Sequence, residues 1–159
     1  MDKLISLLYE DSSLTTEELT AMLGESEEEI NKRINEYKKN GVILGKKTFI
    51  NWDKVDNSGV TALIELKVTP QKETGFDEIA ARISEFTEVD TVNLMAADNY
   101  DLLVTVRGKT IQDVAMFVSR RLATIDAVQG TATHFLLKRY KENGVQLSED
   151  EKDQRSMML

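Results

Sequence analysis

Residues 15–36 read TTEELTAMLGESEEEINKRINE, and the punctuation inside this stretch decides the first half of the fold. Thr15 stands three residues before Glu18, and Ser26 three residues before Glu29. Each pair is the signature of a capping box, in which a hydroxyl and a carboxylate reciprocally satisfy free N–H groups at a helix start. Leu19, Met22 and Leu23 give the first of these helices an apolar face, and Gly24 ends it. In the second helix Ile30, Ile34 and Tyr37 recur at i, i+4 and i+7, a single buried stripe, and Asn40-Gly41 supplies the stop. Only Gly24, Glu25 and Ser26 separate the two helices, the tight connection of a helix-turn-helix.

Working outward, Leu4, Ile5, Leu7 and Leu8 predict a short amphipathic helix over about 2–11. On the other side, VILGKKTFIN (42–51) reads as two short strands around Gly45-Lys46-Lys47, a small hairpin or wing. Residues 1–51 are therefore expected to form a three-helix winged helix-turn-helix. So small a unit buries little core alone, and packing against a partner is expected. WDKVDNSG (52–59) is polar, ends in Asn-Ser-Gly and reads as a linker, with Trp52 as a packing anchor between domains.

Beyond it the period changes. Val60–Thr69 alternates as a strand that Pro70, the only proline, closes. Phe76, Ile79, Ala80, Ile83 and Phe86 have helical spacing. Val89–Ala96 and Leu102–Val106 read as strands, joined by the turn-forming AADNYD (96–101). Ile111, Val114, Phe117, Val118 and Leu122 mark a second helix, and Thr131–Lys138 a last strand. The order β-α-β-β-α-β over 60–145 is the split βαβ, or ferredoxin-like, arrangement, so the fold class is α+β. Its helices cover one face of the sheet. The chain has no spare element for the other, and a partner subunit is the economical cover. Residues 146–159, QLSEDEKDQRSMML, lack an apolar period and read as a charged tail, helical in a crystal.

An N-terminal winged helix-turn-helix joined to a ferredoxin-like domain resembles the Lrp/AsnC family of leucine- and asparagine-responsive transcription regulators. The resemblance covers about 2–145. It is carried by EELTAMLG, the spacing S-x(3)-I-x(2)-R-I running to NGVILG (26–45), NYDLLVTV (99–106) and GTATHFLLKRYKENGV (130–145). It implies a DNA-binding regulator whose second domain makes homodimers, often assembled into octamers. It also implies that a small effector, usually an amino acid, binds between subunits near the loop joining the second and third strands. The sequence departs from the family there: the family's loop carries a glycine and AADNYD has none. Asp98 or Asn99 is expected to take the φ > 0 position instead.

With Ile30, Ile34 and Tyr37 inward, the opposite stripe of the third helix is Glu28, Lys32, Asn35 and Lys39, flanked by Asn31 and Lys38. Lys32, Arg33, Lys38 and Lys39, with Lys46 and Lys47 on the wing, make a phosphate-contact set. Asn31 and Asn35 have the groups to read an adenine edge, and Glu28 to accept from a cytosine amino group. Lys and Asn on such a stripe serve equally as a solvated face. Glu27, Glu28 and Glu29 at the helix start favour the positive end of its dipole by about 0.3–1 kcal/mol each, with Glu29 as the capping partner of Ser26. The same acids repel phosphate, so each subunit is expected to bind DNA weakly. For the effector, Asp98, Asn99, Tyr100 and Asp101 offer carboxylate, amide and hydroxyl groups on one turn. Thr131 and Thr133 share one face of the last strand by alternation. Asp101 is placed to accept from an ammonium, and threonine hydroxyls and backbone N–H groups to donate to a carboxylate.

Composition bounds the rest. The net charge is -8, divided as -4 over residues 1–53, -2 over 60–145 and -2 over 146–159, so no region is basic as a whole. The chain has no cysteine, which excludes disulfides, thiolate metal sites and cysteine catalysis. His134 is the only histidine and is expected to be packed and hydrogen-bonded on its strand. Arg120-Arg121 is read as a surface pair. No signal-peptide pattern and no membrane-spanning apolar run are present, which points to the cytoplasm. No HExxH, Walker or GxSxG motif is present either, so an enzyme, a metal and a cofactor are not expected. Double-stranded DNA, a second copy of the chain and a small-molecule effector are the expected partners, and no membrane. The alternative is a ligand-sensing oligomeric binding module whose helix-turn-helix does not read DNA.

Overall fold

The computed structural model describes residues 2–70 and 75–147 and divides the chain into two compact units, Met1–Ile50 and Asn51–Leu159. No helix among the described residues is long and apolar enough to cross a membrane.

The first unit holds α1 (Lys3–Glu10), α2 (Thr16–Leu23) and α3 (Glu27–Lys39). Leu4, Leu19 and Ile30, one from each helix, are fully buried against one another, with Leu7, Leu8, Leu14, Leu23, Ile34 and Tyr37 packed around them. The predicted stripe of α3 is thus the core stripe. On α2, Leu23 takes the inward position and Met22, expected beside it, is exposed. Thr15 and Glu18 make the complete capping box. At α3 only half of the expected box forms. Ser26 Oγ accepts from the Glu29 N–H at 3.3 Å, and no return bond runs from Glu29. The end of α3 is fixed by two bonds past the helix, from Gly41 N–H to the Lys38 carbonyl (3.2 Å) and from Val42 N–H to the Tyr37 carbonyl (2.8 Å). This six-to-one closure requires the left-handed conformation that Gly41 adopts at φ 69.

The expected wing strands do not form: residues 43–50 carry no strand. Val42, Leu44, Phe49 and Ile50 stand exposed instead. A two-stranded ribbon without an apolar face to pack on is marginal in water, and these side chains are packed on none.

An ionic clamp closes the unit. Arg33, on α3, forks between two carboxylates. Its Nη1 meets Glu25 in the turn before α3 at 2.7 Å, and its Nη2 meets both oxygens of Asp2 at 2.8 Å. Tyr37 Oη donates to Asp2 Oδ2 at 2.8 Å. Asp2 is also the N-cap of α1, accepting from Leu4 N–H at 2.9 Å. One aspartate therefore starts the first helix and ties it to the third. The Tyr37 hydroxyl, then the N–H groups of α1 and Arg33, hold the Asp2 carboxyl below the usual carboxylate range. Glu25 above all keeps the Arg33 guanidinium charged.

The second unit opens with a single 3-10 turn, Trp52–Lys54, inside the stretch read as a linker. The Arg107 guanidinium lies 4.3 Å from the Trp52 ring centroid, so the tryptophan anchors within this unit. There follow β1 (Val60–Val68), α4 (Asp77–Ser84), β2 (Val89–Leu94), β3 (Leu102–Gly108), α5 (Ile111–Phe117) and β4 (Val128–Phe135). The strands order as β2-β3-β1-β4 with every neighbouring pair antiparallel. That is the ferredoxin-like sheet the element order predicts. Ala62, Ile64, Leu66 and Val68 of β1 join Leu102, Val104 and Val106 of β3 in a core closed by Ile79 and Ile83 of α4 and Val114 and Phe117 of α5. α5 opens on a reciprocal Thr110–Asp113 cap and runs on into a π turn, Val118–Leu122. Gly59 has φ 79 just ahead of β1, and a Cβ there would lie 2.4 Å from the Gly108 carbonyl oxygen, so only glycine fits.

Past β4 the chain folds back in a small hairpin that takes in Gln146, read from the sequence as the start of the tail. Lys141–Glu142 and Val145–Gln146 pair as β5 and β6 across Asn143-Gly144. Leu147 N–H donates to the Tyr140 carbonyl, and its own carbonyl accepts from Asn51 Nδ2 at 2.9 Å. The expected helix further on falls at 148–159, outside the described residues.

Replacing Asp2 by Ala removes a cap and an ion pair together. The first unit is expected to lose about 1–2 kcal/mol, read as a fall of several degrees in the far-UV melt. The fluorescence transition of Trp52, in the other unit, serves as the internal control and stays in place. Because folding depresses the Asp2 pKa, its charge contributes stability that is full above the unfolded value of about 3.9. That contribution fades as pH falls through the lower folded value. Asp2→Asn, which keeps the cap and loses the charge, is therefore less stable than wild type at neutral pH and converges with it in acid.

Candidate functional site

The helix-turn-helix presents its outward stripe as the spacing predicts. Glu28, Lys32, Asn35 and Lys39 are exposed, as are Asn31, Lys38, Lys46 and Lys47. Two corrections change what this face can do. Arg33 is withdrawn from it: both arms of the guanidinium are engaged in the clamp with Glu25 and Asp2, and it contacts phosphate only by giving up those bonds. Asn31 is partly engaged too, its Oδ1 accepting from Thr16 Oγ1 of α2 at 3.3 Å. The exposed charges left on α3 are then Glu27, Glu28, Glu29 and Glu36 against Lys32, Lys38 and Lys39. Since Glu29 makes no return cap bond, all three N-terminal acids remain available to a ligand. Lys46 and Lys47 stand on the open segment 43–50 rather than on a hairpin.

The loop between β2 and β3 is built without a left-handed residue. Neither Asp98 nor Asn99 takes φ > 0, contrary to expectation; among the described non-glycine residues only Asn57 and Asn143 do. The loop is closed from its far end by Asp101. The Met95 N–H donates to the Asp101 carbonyl at 2.8 Å, and the Asp101 N–H donates to the Leu66 carbonyl at 2.9 Å. The Asp101 carboxylate accepts from Val68 N–H at 2.8 Å and from Lys67 Nζ at 3.2 Å. Those bonds, the Val68 N–H first, hold its pKa below the usual range. Both oxygens expected to receive a ligand ammonium thus already pin the loop to the end of β1. Asp98 and Asn99 remain exposed, and Tyr100 is half-buried.

Thr131 and Thr133 lie opposite Leu66 and Ile64 in the β1–β4 register. Directly opposed residues share a face, so both hydroxyls lie on the helix-bearing side, along the edge strand. Leu66 also pairs with Leu102, next to Asp101. The loop and Thr131 consequently flank the same end of β1 from either side. The structure gathers Asp98, Asn99, Tyr100, Asp101 and Thr131 at one end of the sheet, with Thr133 one step further in.

Three arrangements were not foreseen. His134 is exposed rather than packed, with Nε2 3.3 Å from Glu65 Oε1 on the sheet face that bears no helix. Arg121 is more than a surface group. It stacks 4.4 Å from the Phe86 centroid and reaches Glu88 at 3.3 Å, while Arg120 beside it is exposed. Arg107 stacks on the Trp52 ring, and its Nε lies 3.5 Å from Asp90 Oδ2. Only the proximity of Arg120-Arg121 to Phe117 in the sequence signalled any of this; the other partners are far apart along the chain.

Compared with known proteins, residues 61–146 match the model of the Lrp/AsnC ligand binding domain. The HTH-type transcriptional regulator YugG of Bacillus subtilis is 42% identical over 154 residues, 96% of this chain and 92% of that one. The HTH-type transcriptional regulator LrpA of Pyrococcus abyssi is 28% identical, covering 88% of this chain and 96% of its own. Among solved structures, LrpA of Mycobacterium tuberculosis superposes with a TM-score of 0.74 at 20% identity, over 93% of this chain and 100% of that one. The Neisseria meningitidis regulator NMB0573, solved with L-Met, gives 0.71 at 21%, over 92% and 97%. At such identities the superpositions speak to the fold; the sequence relatives speak to the class, which is one of regulators and not of enzymes. With a ligand-binding-domain match over more than half its length and a 42%-identical regulator along nearly all of it, the chain belongs to the Lrp/AsnC family of transcriptional regulators.

Proposed function

We propose that the chain binds double-stranded DNA through α3 as part of a homo-oligomer and changes its assembly when an amino acid occupies the β2–β3 loop. One observation carries the reading: the inward stripe of α3 is spent in its own core, which leaves Lys32, Asn35 and Lys39 facing outward from a helix reached through a three-residue turn. Lys38, Lys46 and Lys47 add phosphate contacts, and Asn31 retains its amide N–H groups for a base edge.

The charge balance of α3 sets the affinity. With Arg33 withdrawn, the acids outnumber the bases on the exposed helix, and each subunit gains little from the counterion release that drives nonspecific binding. Two helices held at a fixed spacing bind far more tightly than either alone, so oligomerisation is part of the DNA-binding mechanism. The sheet face that carries no helix among the described residues offers the surface. Leu63 of β1 and Leu103 of β3 are half-buried there among Thr61, Glu65 and Thr105, on the side away from both helices. The same acidic balance favours the second reading, a ligand-sensing oligomer whose helix-turn-helix meets no DNA.

For the effector, Asp98, Asn99 and Tyr100 offer contacting groups, with Thr131 and Thr133 across β1. Asp101 acts by holding the loop. The N. meningitidis regulator solved with L-Met supports an amino acid as the ligand class.

Binding to the chain's own upstream promoter and to random DNA at two salt concentrations separates the readings. A regulator prefers the promoter and loses affinity with a slope of several phosphates, and no preference by the folded oligomer sinks the first reading. Lys32→Ala and Lys39→Ala weaken binding to both DNAs. Replacing Glu27, Glu28 and Glu29 together by Gln raises nonspecific affinity by about tenfold at low salt. In sedimentation at several concentrations the wild type runs as a dimer or larger. Leu63→Glu with Leu103→Glu shifts it towards monomer; a monomeric wild type overturns the assembly claim. A thermal-shift screen over the amino acids gives a ligand-dependent rise that Asn99→Ala reduces, whereas no rise, or a rise that Asn99→Ala leaves unchanged, counts against the loop site.

A further inference from the structure

We propose that the cleft between α5 and the end of β3 is a second small-molecule site, shaped for a zwitterionic α-amino acid with a short apolar side chain. It lies at the end of the sheet away from the β2–β3 loop. Asp101 precedes β3 and Gly108 ends it, which puts the length of the strand, about 20 Å, between the two places. The inference does not depend on the loop being occupied.

The cleft is open to solvent and has a volume of about 290 Å³. Ligand pockets run from about 300 to 1,000 Å³, so this one suits a molecule of a few heavy atoms and not a nucleotide. Val106, Val114 and Phe117 supply an apolar floor, and Met116 stands half-exposed at the mouth. The charges at the rim are of both signs, and their engagement differs. Arg121 is spent on Phe86 and Glu88. Arg120 lines the cleft with a guanidinium that has no partner among the described residues. Asp113 uses Oδ2 to cap α5 through the N–H and hydroxyl of Thr110, and its Oδ1 carries no hydrogen bond among the described residues. One unspent cation and one unspent carboxylate oxygen therefore flank an apolar hollow. A lone anion there meets Asp113 and Glu88, and a lone cation meets Arg120 and Arg121. A molecule with carboxylate and ammonium on one carbon satisfies both. The backbone supports the arrangement. The π turn, closed by Ala123 N–H to the Val118 carbonyl at 2.8 Å, widens the helix just where Arg120 and Arg121 leave it.

The chain carries its own reporter. Trp52 is the only tryptophan, and it stacks under the guanidinium of Arg107, whose residue lines the cleft. Titrating the full-length protein with each of the twenty amino acids at millimolar concentration, L-leucine and L-methionine among them, is expected to give a saturable change in Trp52 fluorescence for apolar ones. Removing the amino or the carboxylate group of the best ligand weakens it by about tenfold or more, as loss of a charge-assisted bond requires. Arg120→Gln, an exposed change that breaks no contact and leaves the far-UV spectrum unaltered, weakens it to the same extent. Asn99→Ala, in the loop, leaves it unchanged. No saturable change with any amino acid overturns the proposal. So does a change that survives Arg120→Gln, or one that Asn99→Ala abolishes, which assigns the signal to the loop.

Discussion

Strand β1 is the constraint on which the second unit depends. It is paired on both sides, to β3 and to β4, and its alternation sorts every neighbour. Ala62, Ile64, Leu66 and Val68 face the helices and are buried; Thr61, Leu63, Glu65 and Lys67 face the other way. A slip by one residue would exchange the two sets and put Glu65 and Lys67 under α4 and α5, at a cost no pairing could recover. Register therefore decides which residues are core and which form the uncovered face. It also brings the β2–β3 loop and Thr131 to the same strand end, because both are measured from Leu66.

How far the sequence discloses this depends on the reach of each interaction. Periodic burial is local, so Ile30, Ile34 and Tyr37, and the β-α-β-β-α-β order, could be read directly, and with them the fold. Caps are local as well, yet the Ser26–Glu29 pair shows that the motif permits a reciprocal bond without enforcing it: one arm forms and the other stays in solvent. The wing failed for a different reason. VILGKKTFIN has the composition of a hairpin, but composition cannot tell whether a surface exists for a ribbon to pack on. The clamp and the loop staple were beyond reach. Arg33 finds Asp2 31 residues away, and Asp101 finds Val68 33 residues away, with nothing in the spacing to mark either pair. In each case the sequence identified a charged residue correctly and assigned its charge to a ligand, when the fold had already used it.

That diversion of charge runs through the whole molecule. Arg33, Arg107 and Arg121 each stack on or fork to a neighbour, and Asp2 and Asp101 each cap or staple the backbone. A side chain in such a network is a poor choice for recognition, since engaging a ligand means giving up bonds already made. The residues free to recognise something are those the fold leaves alone: Lys32, Asn35 and Lys39 on α3, Asp98 and Asn99 on the loop, Arg120 beside the cleft.

The acidic start of α3 then has a consistent place in the proposed mechanism. A helix rich in lysine would hold DNA as a monomer, and any change in assembly would alter occupancy little. A helix whose exposed charges nearly cancel contributes a small free energy, so occupancy depends steeply on how many helices engage together. An effector shifts an equilibrium only by its difference in affinity for the two states, commonly 1–3 kcal/mol of coupling. Such a modest coupling governs DNA binding only where the binding itself is poised near balance. On the proposed reading Glu27, Glu28 and Glu29 bring α3 to that balance, and they do so from positions where the helix dipole makes them favourable to the fold.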